Sequence, residues 1–257
     1  PIYFACTVDS RLYSVYSPYL QNTGMAYQVT PLRTQGLDET PVSNTEKMYR
    51  NVMDPAKFRW GNLDKAAPGT IYLDETNRRM VTTTRSMLIS LAADLATEAD
   101  SLQGDAARAK MEKAIKVLDL MQAKLPEKAC AYSFVMIRND YMGAKMAMSQ
   151  IYEQLNKKFH RPDLHKRAVE LMEQEAQRYA QYLVFLEDLK QNHPELSACD
   201  QDNNVASYCY PKMMEYYKEL TSDNPKALAA LRAKIKAMGV NLNALDQSIE
   251  VLKAQMR

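Results

Sequence analysis

From residue 74 onward apolar residues recur at steps of three and four, and that spacing commits most of the chain to helix. Val81, Thr84, Leu88, Leu91 and Leu95 make one stripe, and Met111, Ala114, Ile115, Leu118, Met121 and Leu125 make the next. The first helix starts behind Asp74 and ends near Gly104. The second starts at Asp105 and stops before Pro126, so the two predict an antiparallel hairpin. Another hairpin follows. Tyr141, Ala144, Met148, Ile151, Tyr152 and Leu155 mark its first helix. Leu164, Ala168, Leu171, Met172, Tyr179 and Leu186 mark its second, which opens near Pro162 and runs to about Gln191. A third group holds helices over about 204–220, with a start that Pro211 delays, and over 225–238, closed by Gly239. A last helix with Leu242, Leu245, Ile249 and Leu252 has a polar outer face that suits a terminal cap.

Residues up to about 70 read differently. Residues 2–8 predict a buried strand, and 25–30 a second strand that stops at Pro31. The tyrosine-rich stretch 12–20 predicts a short helix or turn, and 34–43, with Gly36 and Pro41, a loop. Ser43 or Asn44 is placed to cap a short helix through Val52. The fold class expected is mostly α, antiparallel hairpins of tetratricopeptide-like form, with a small N-terminal part containing two short strands. Residues 1–70 form that α+β segment and 71–257 the helical domain. The wording of 113–126 resembles the second helix of a tetratricopeptide repeat, although the hairpins recur at more than the ~34 residues of a standard repeat.

Composition excludes several classes of function. The 33 basic and 31 acidic residues nearly cancel, so nothing points to nucleic acid or to an anionic membrane surface. No apolar run reaches the ~20 residues of a membrane span, and the first residues lack a signal-peptide pattern. The start at Pro1, directly in strand-like sequence, reads as an excised piece of a longer polypeptide. Cys6 and Cys130 lie in apolar surroundings and read as free thiols. Cys199 and Cys209 bracket the polar run 200–204, where a local disulfide is one reading, suited to an oxidising compartment.

Candidate sites each admit a plainer reading. Trp60, Phe58 and Tyr72 suit a sugar-stacking platform, but a lone Trp beside a helical stack more often plugs a core. Arg78 and Arg79 with Asp74 and Glu75 suit an anion or ligand site. Mixed charge at a helix start, with Asp74 as cap, needs no ligand. Gly61 and Asn62 read as structural turn residues. His160 and His165 stand five apart and His193 precedes Pro194, which is not metal-ligand spacing. The 200–204 cluster lacks the glycine and closing glutamate of a calcium loop. No phosphate loop, nucleophile elbow or catalytic constellation is present, so neither a metal nor a cofactor is expected and no catalytic residue is assigned.

One resemblance adds to this. Pro1-Ile2-Tyr3-Phe4-Ala5, Tyr19-Leu20-Gln21, Gly24-Met25-Ala26-Tyr27 and Pro31 resemble the start of a C-terminal region in a bacterial membrane-protein family. Thr45-Glu46-Lys47-Met48-Tyr49-Arg50-Asn51-Val52-Met53 continues it, and residues 58–64 and 71–80 carry it most strongly. The family is the polytopic group described as domain of unknown function 2723 (DUF2723), similar to protein O-mannosyltransferases. It implies a parent glycosyltransferase with its active site in membrane spans outside this chain. This chain is then a non-catalytic accessory domain at the extracytoplasmic, periplasmic face. Its partner is an acceptor protein or the membrane catalytic part of the same polypeptide. Residues 131–133 depart from the family pattern, and the end of the chain shows none of it. A free-standing helical scaffold for a partner protein or peptide, and a carbohydrate-binding module, are the alternatives.

Overall fold

A computed structural model describes residues 1–34, 42–65, 67, 70–132, 134–137, 140–193 and 208–255. It is mostly helical, with paired antiparallel helices and a small N-terminal sheet. Two compact units are delimited by contact density, Pro1–Ala144 and Lys145–Arg257. That criterion differs from the change of element type near residue 70.

The first unit opens with strands β1 (Tyr3–Ala5), β2 (Leu20–Asn22), β3 (Ala26–Val29) and β4 (Val42–Ser43), in the order β1-β3-β2-β4. β3 runs antiparallel to both neighbours, and β4 lies parallel to β2. Phe4 pairs with Tyr27, so their side chains share one face. Two short 3-10 helices, Ser10–Leu12 and Ser14–Tyr19, bring rings onto it: Tyr13 lies 5.5 Å from Phe4 and 5.6 Å from Tyr27. The opposite face carries Tyr3, Gln28 and Gln21 in a row across β1, β3 and β2. Helix α1 (Thr45–Met53) meets that row through polar bonds. Lys47 Nζ donates to Gln28 Oε1 at 2.6 Å and Tyr3 Oη at 3.1 Å, and Asn44 Nδ2 donates to Gln21 Oε1 at 3.1 Å.

The expected first strand is shorter and less buried than its apolar sequence implies. β1 stands at the sheet edge, and Ile2 is exposed. β2 and β4 have three and two residues, too few for an alternating pattern to register.

Helices α2 (Glu75–Ser101) and α3 (Gly104–Lys124) form the core of this unit. They pack antiparallel: Lys110 pairs with Glu98 near one end, and Arg85 reaches Leu125 O near the other. Gly104, at φ +59°, supplies the left-handed residue that lets the chain reverse after only two connecting residues. Leu88, Leu91, Leu95, Leu118 and Met121 are fully buried, and Ala92, Ala96, Ala99 and Ala114 let the backbones approach. The α3 stripe is rotated slightly from expectation: Val117 is buried and Ile115 only half-buried. After α3 the chain forms antiparallel strands β5 (Phe134–Ile137) and β6 (Asp140–Gly143), which places Tyr141 on a strand and not on the helix expected there.

The second unit contains α4 (Ala144–Phe159), α5 (Pro162–Asn192), α6 (Tyr210–Leu220), α7 (Pro225–Ala237) and α8 (Leu242–Gln255). Lys145 with Gln174, Ser149 with Ala168 O and Glu153 with His165 set α4 antiparallel to α5. Pro162 opens α5, whose buried face ends at Ala180; Leu186 is half-buried. α6 lies along α5, with Tyr217 Oη donating to Glu173 at 3.1 Å and Tyr210 meeting Tyr179 edge-on. α7 and α8 are joined by the two-bond Arg232–Asp246 pair. Gly239 turns between them at φ +99°. Among the described residues no helix is long and apolar enough to cross a membrane.

Glu46, in the first turn of α1, accepts from Lys110 and Lys113 of α3. Those two ammonium groups hold its carboxyl at about 2, below the ordinary 4.5. A depressed carboxylate stabilises the fold fully above its unfolded value, and the contribution is lost as pH falls through the folded one. Glu46→Gln should therefore lower stability at pH 7 by at most about 1 kcal/mol, since the pair is partly exposed and screened by salt. Urea titrations in a pH series should show the gap between the two proteins narrowing from pH 4.5 toward 2.

Candidate functional site

The segment after α1 folds back on itself because Asp54 organises it: its carboxylate accepts from Ala56 N and its carbonyl from Lys57 N and Phe58 N. This places Phe58 and Trp60 side by side, ring centroids 4.6 Å apart, and both are half-buried. Asn62 O then accepts from Lys65 N in a 3-10 turn. Asp64 in that turn reaches Lys124 Nζ at 2.8 Å, which ties the segment to the end of α3. The Lys124 hydrogen bond holds the Asp64 carboxyl below its ordinary range. Gly61 has neither a left-handed backbone nor a close neighbour, so nothing around it requires glycine.

Farther along, Asp74 caps α2, its carboxylate accepting from Asn77 N at 2.7 Å. Arg78 and Arg79 are both exposed. Arg79 pairs with Glu75 one turn away, a surface contact of little energetic weight. Tyr72 is 88% exposed and touches neither Phe58 nor Trp60 ring to ring. The structure thus joins Trp60 to Phe58 and Arg79 to Glu75 but does not gather Trp60, Tyr72, Arg78 and Arg79 into one platform. Cys209 is buried beside the start of α6, and Cys199 lies outside the described residues, as does the cluster at 200–204. No group of metal-holding side chains occurs among the described residues.

Two features were missed at the level of sequence. The first is Arg85, which sits four residues after Val81 on the buried stripe of α2 and is 1% exposed. Its Nη2 donates to Leu125 O and Cys130 O, both at 2.7 Å, and its Nη1 to Ala131 O at 2.9 Å. The Tyr132 ring covers its Cζ at 4.2 Å. Burial pulls the guanidinium pKa down from its ordinary value, but a guanidinium starts so high that it stays protonated. A strong base on a helix's apolar stripe is the signal that marked it.

The second is an exposed apolar surface on the N-terminal sheet lobe. Ile2, Leu12, Val15 and Leu32 are 63–83% exposed, and Tyr3, Tyr16 and Tyr19 more than 40%. Tyr16 stacks against Phe4 at 5.8 Å. Thr30 binds both Tyr19 O and Leu32 O, bringing those segments together. The charged side chains of the lobe are Asp9 and Arg11, which neutralise each other through several hydrogen bonds, and Arg33, exposed next to Leu32. Scattered exposed aliphatics are normal; here four of them, with three tyrosines, come from one 34-residue stretch.

Compared with known proteins, the chain matches no family model, no curated protein and no solved structure.

Replacing Arg85 by Met should leave three carbonyls near the end of α3 without donors and destabilise the protein by about 3 kcal/mol or more. Arg85→Lys keeps the charge but not the fork, and should recover only part of that loss. Urea unfolding followed by circular dichroism measures both.

Proposed function

We propose that this chain is a non-catalytic accessory domain that docks on a protein partner through its N-terminal sheet lobe. The single observation that carries this reading is the exposure of Ile2, Leu12, Val15, Tyr16, Tyr19 and Leu32 on one small lobe. Apolar side chains left in water by a folded lobe gain free energy when a partner covers them, at about 25 cal/mol per Å². The helices that make up most of the chain display no catalytic constellation in the sequence.

The sequence resemblance of residues 58–64 and 71–80 supports a membrane glycosyltransferase-like protein as the parent. This domain stands at its extracytoplasmic, periplasmic face and holds an acceptor protein or packs on the membrane catalytic part. A reading of the coding sequence upstream of Pro1 bears directly on this, since a parent of that kind places several membrane spans there.

The docking surface is tested by Leu12→Asp with Val15→Asp in the parent polypeptide. Both side chains are exposed, so stability should change by no more than about 0.5 kcal/mol. Crosslinks between residues 1–34 and a partner, mapped by mass spectrometry, should disappear in the double variant. Crosslinks that survive it, or that arise only from other faces, overturn the assignment of this lobe.

A further inference from the structure

A cleft of about 500 Å³ in the second unit lies between α4, α5, α6 and the turn after α6. Its floor is built and its rim is free. On the floor, the Glu153 carboxylate takes the Nδ1 of His165 at 2.7 Å, and Asn156 Nδ2 at 3.3 Å. Glu153 is the more buried partner, with 14% of its side chain exposed against 33% for His165. A carboxylate only accepts, so Nδ1 carries a proton, and in the neutral imidazole Nε2 is then the acceptor.

Tyr216 completes the floor from α6. Its hydroxyl lies 3.4 Å from Ser149 Oγ, whose own proton goes to Ala168 O, and burial pushes the Tyr216 pKa up to about 12, so the phenol stays neutral. The Tyr216 ring, Leu220 and Pro162 add apolar lining. On the rim, Glu219 and Asp223 make no side-chain ion pair among the described residues, and Lys157 stands beside them. The arrangement offers an imidazole held by Glu153, an ammonium donor at Lys157, apolar patches and two carboxylate acceptors. It repels anions more than it attracts them.

We infer that this cleft binds a neutral polyhydroxylated molecule, its hydroxyls bonded to His165 Nε2 and the rim carboxylates and its C–H face laid on Tyr216 and Leu220. Such a molecule presents donors and acceptors in alternation and carries no charge to conflict with Lys157 or with Glu219 and Asp223. The volume lies within the range that holds small organic ligands. Glu153 is a positioning residue, because it acts only by holding the imidazole tautomer. This inference is independent of the docking lobe.

Saturation-transfer NMR with maltose and sorbitol as probes tests it, with spermidine and gluconate as charged comparisons. Transfer to maltose or sorbitol is expected, with binding on the order of tenfold weaker in His165→Leu. Val15→Asp in the lobe should change nothing. The imidazole nitrogen spectrum should show the Nδ1–H tautomer of His165, and Glu153→Gln should mix the tautomers while the fold is kept. Binding of spermidine alone would mean that the acidic rim acts without the floor, and overturns the proposal. So does the absence of transfer to either polyol, binding unaffected by His165→Leu, or an Nε2–H tautomer in the unaltered protein.

Discussion

The first unit depends on a positive charge kept where water does not reach. Arg85 has no carboxylate within ion-pair distance among the described residues; its counter-charge is the end of a helix. The last carbonyls of α3 have no intrahelical donors and carry the negative pole of its dipole. Arg85 meets one of these, at Leu125, and adds those of Cys130 and Ala131 from the following turn. A single fork-shaped side chain thus ends α3, fixes the turn that follows and locks that turn to α2. A buried ion pair is weak grounds for stability, but a guanidinium shared among carbonyls avoids burying a second ion.

The helices were legible in the sequence because their stripes are long and their ends are punctuated by Asp74, Gly104, Pro162 and Gly239. Each of those residues acts through local chemistry that needs no tertiary partner: a carboxylate cap, left-handed glycines and a proline at a first helical turn. What escaped was short or paired at a distance. β2 and β4 exist because β3 and β2 are there to bond them, and no window of two or three residues shows that. The Ile115 and Val117 exchange on α3 reflects a small rotation that only the facing helix determines.

The candidate sites were less legible for a related reason. Trp60 drew notice by rarity, yet its ring is spent on Phe58 and the adjoining turn. His165 looked idle because its spacing from His160 fits no metal, while its partner, Glu153, lies twelve residues earlier on another helix. Sequence spacing reports partners on one element well and partners across elements poorly. Residues 2–8 predict a buried strand, yet Ile2 and Tyr3 are exposed, because apolar character alone does not say whether a neighbour is present to cover it.

The seam between the sheet and α1 has an unequal counterpart on the other side of the same helix. Asn44, Lys47 and Asn51 turn hydrogen bonds toward the sheet, whereas Met48 and Val52 are buried in the apolar core. Hydrogen bonds exchanged with water contribute little net free energy, and apolar burial contributes more. The molecule therefore has a natural line of parting along the polar side of α1. Opening along that line breaks hydrogen bonds that water can replace and leaves the apolar burial of the α2–α3 hairpin intact, which is the physical basis for a lobe that opens as its own cooperative element.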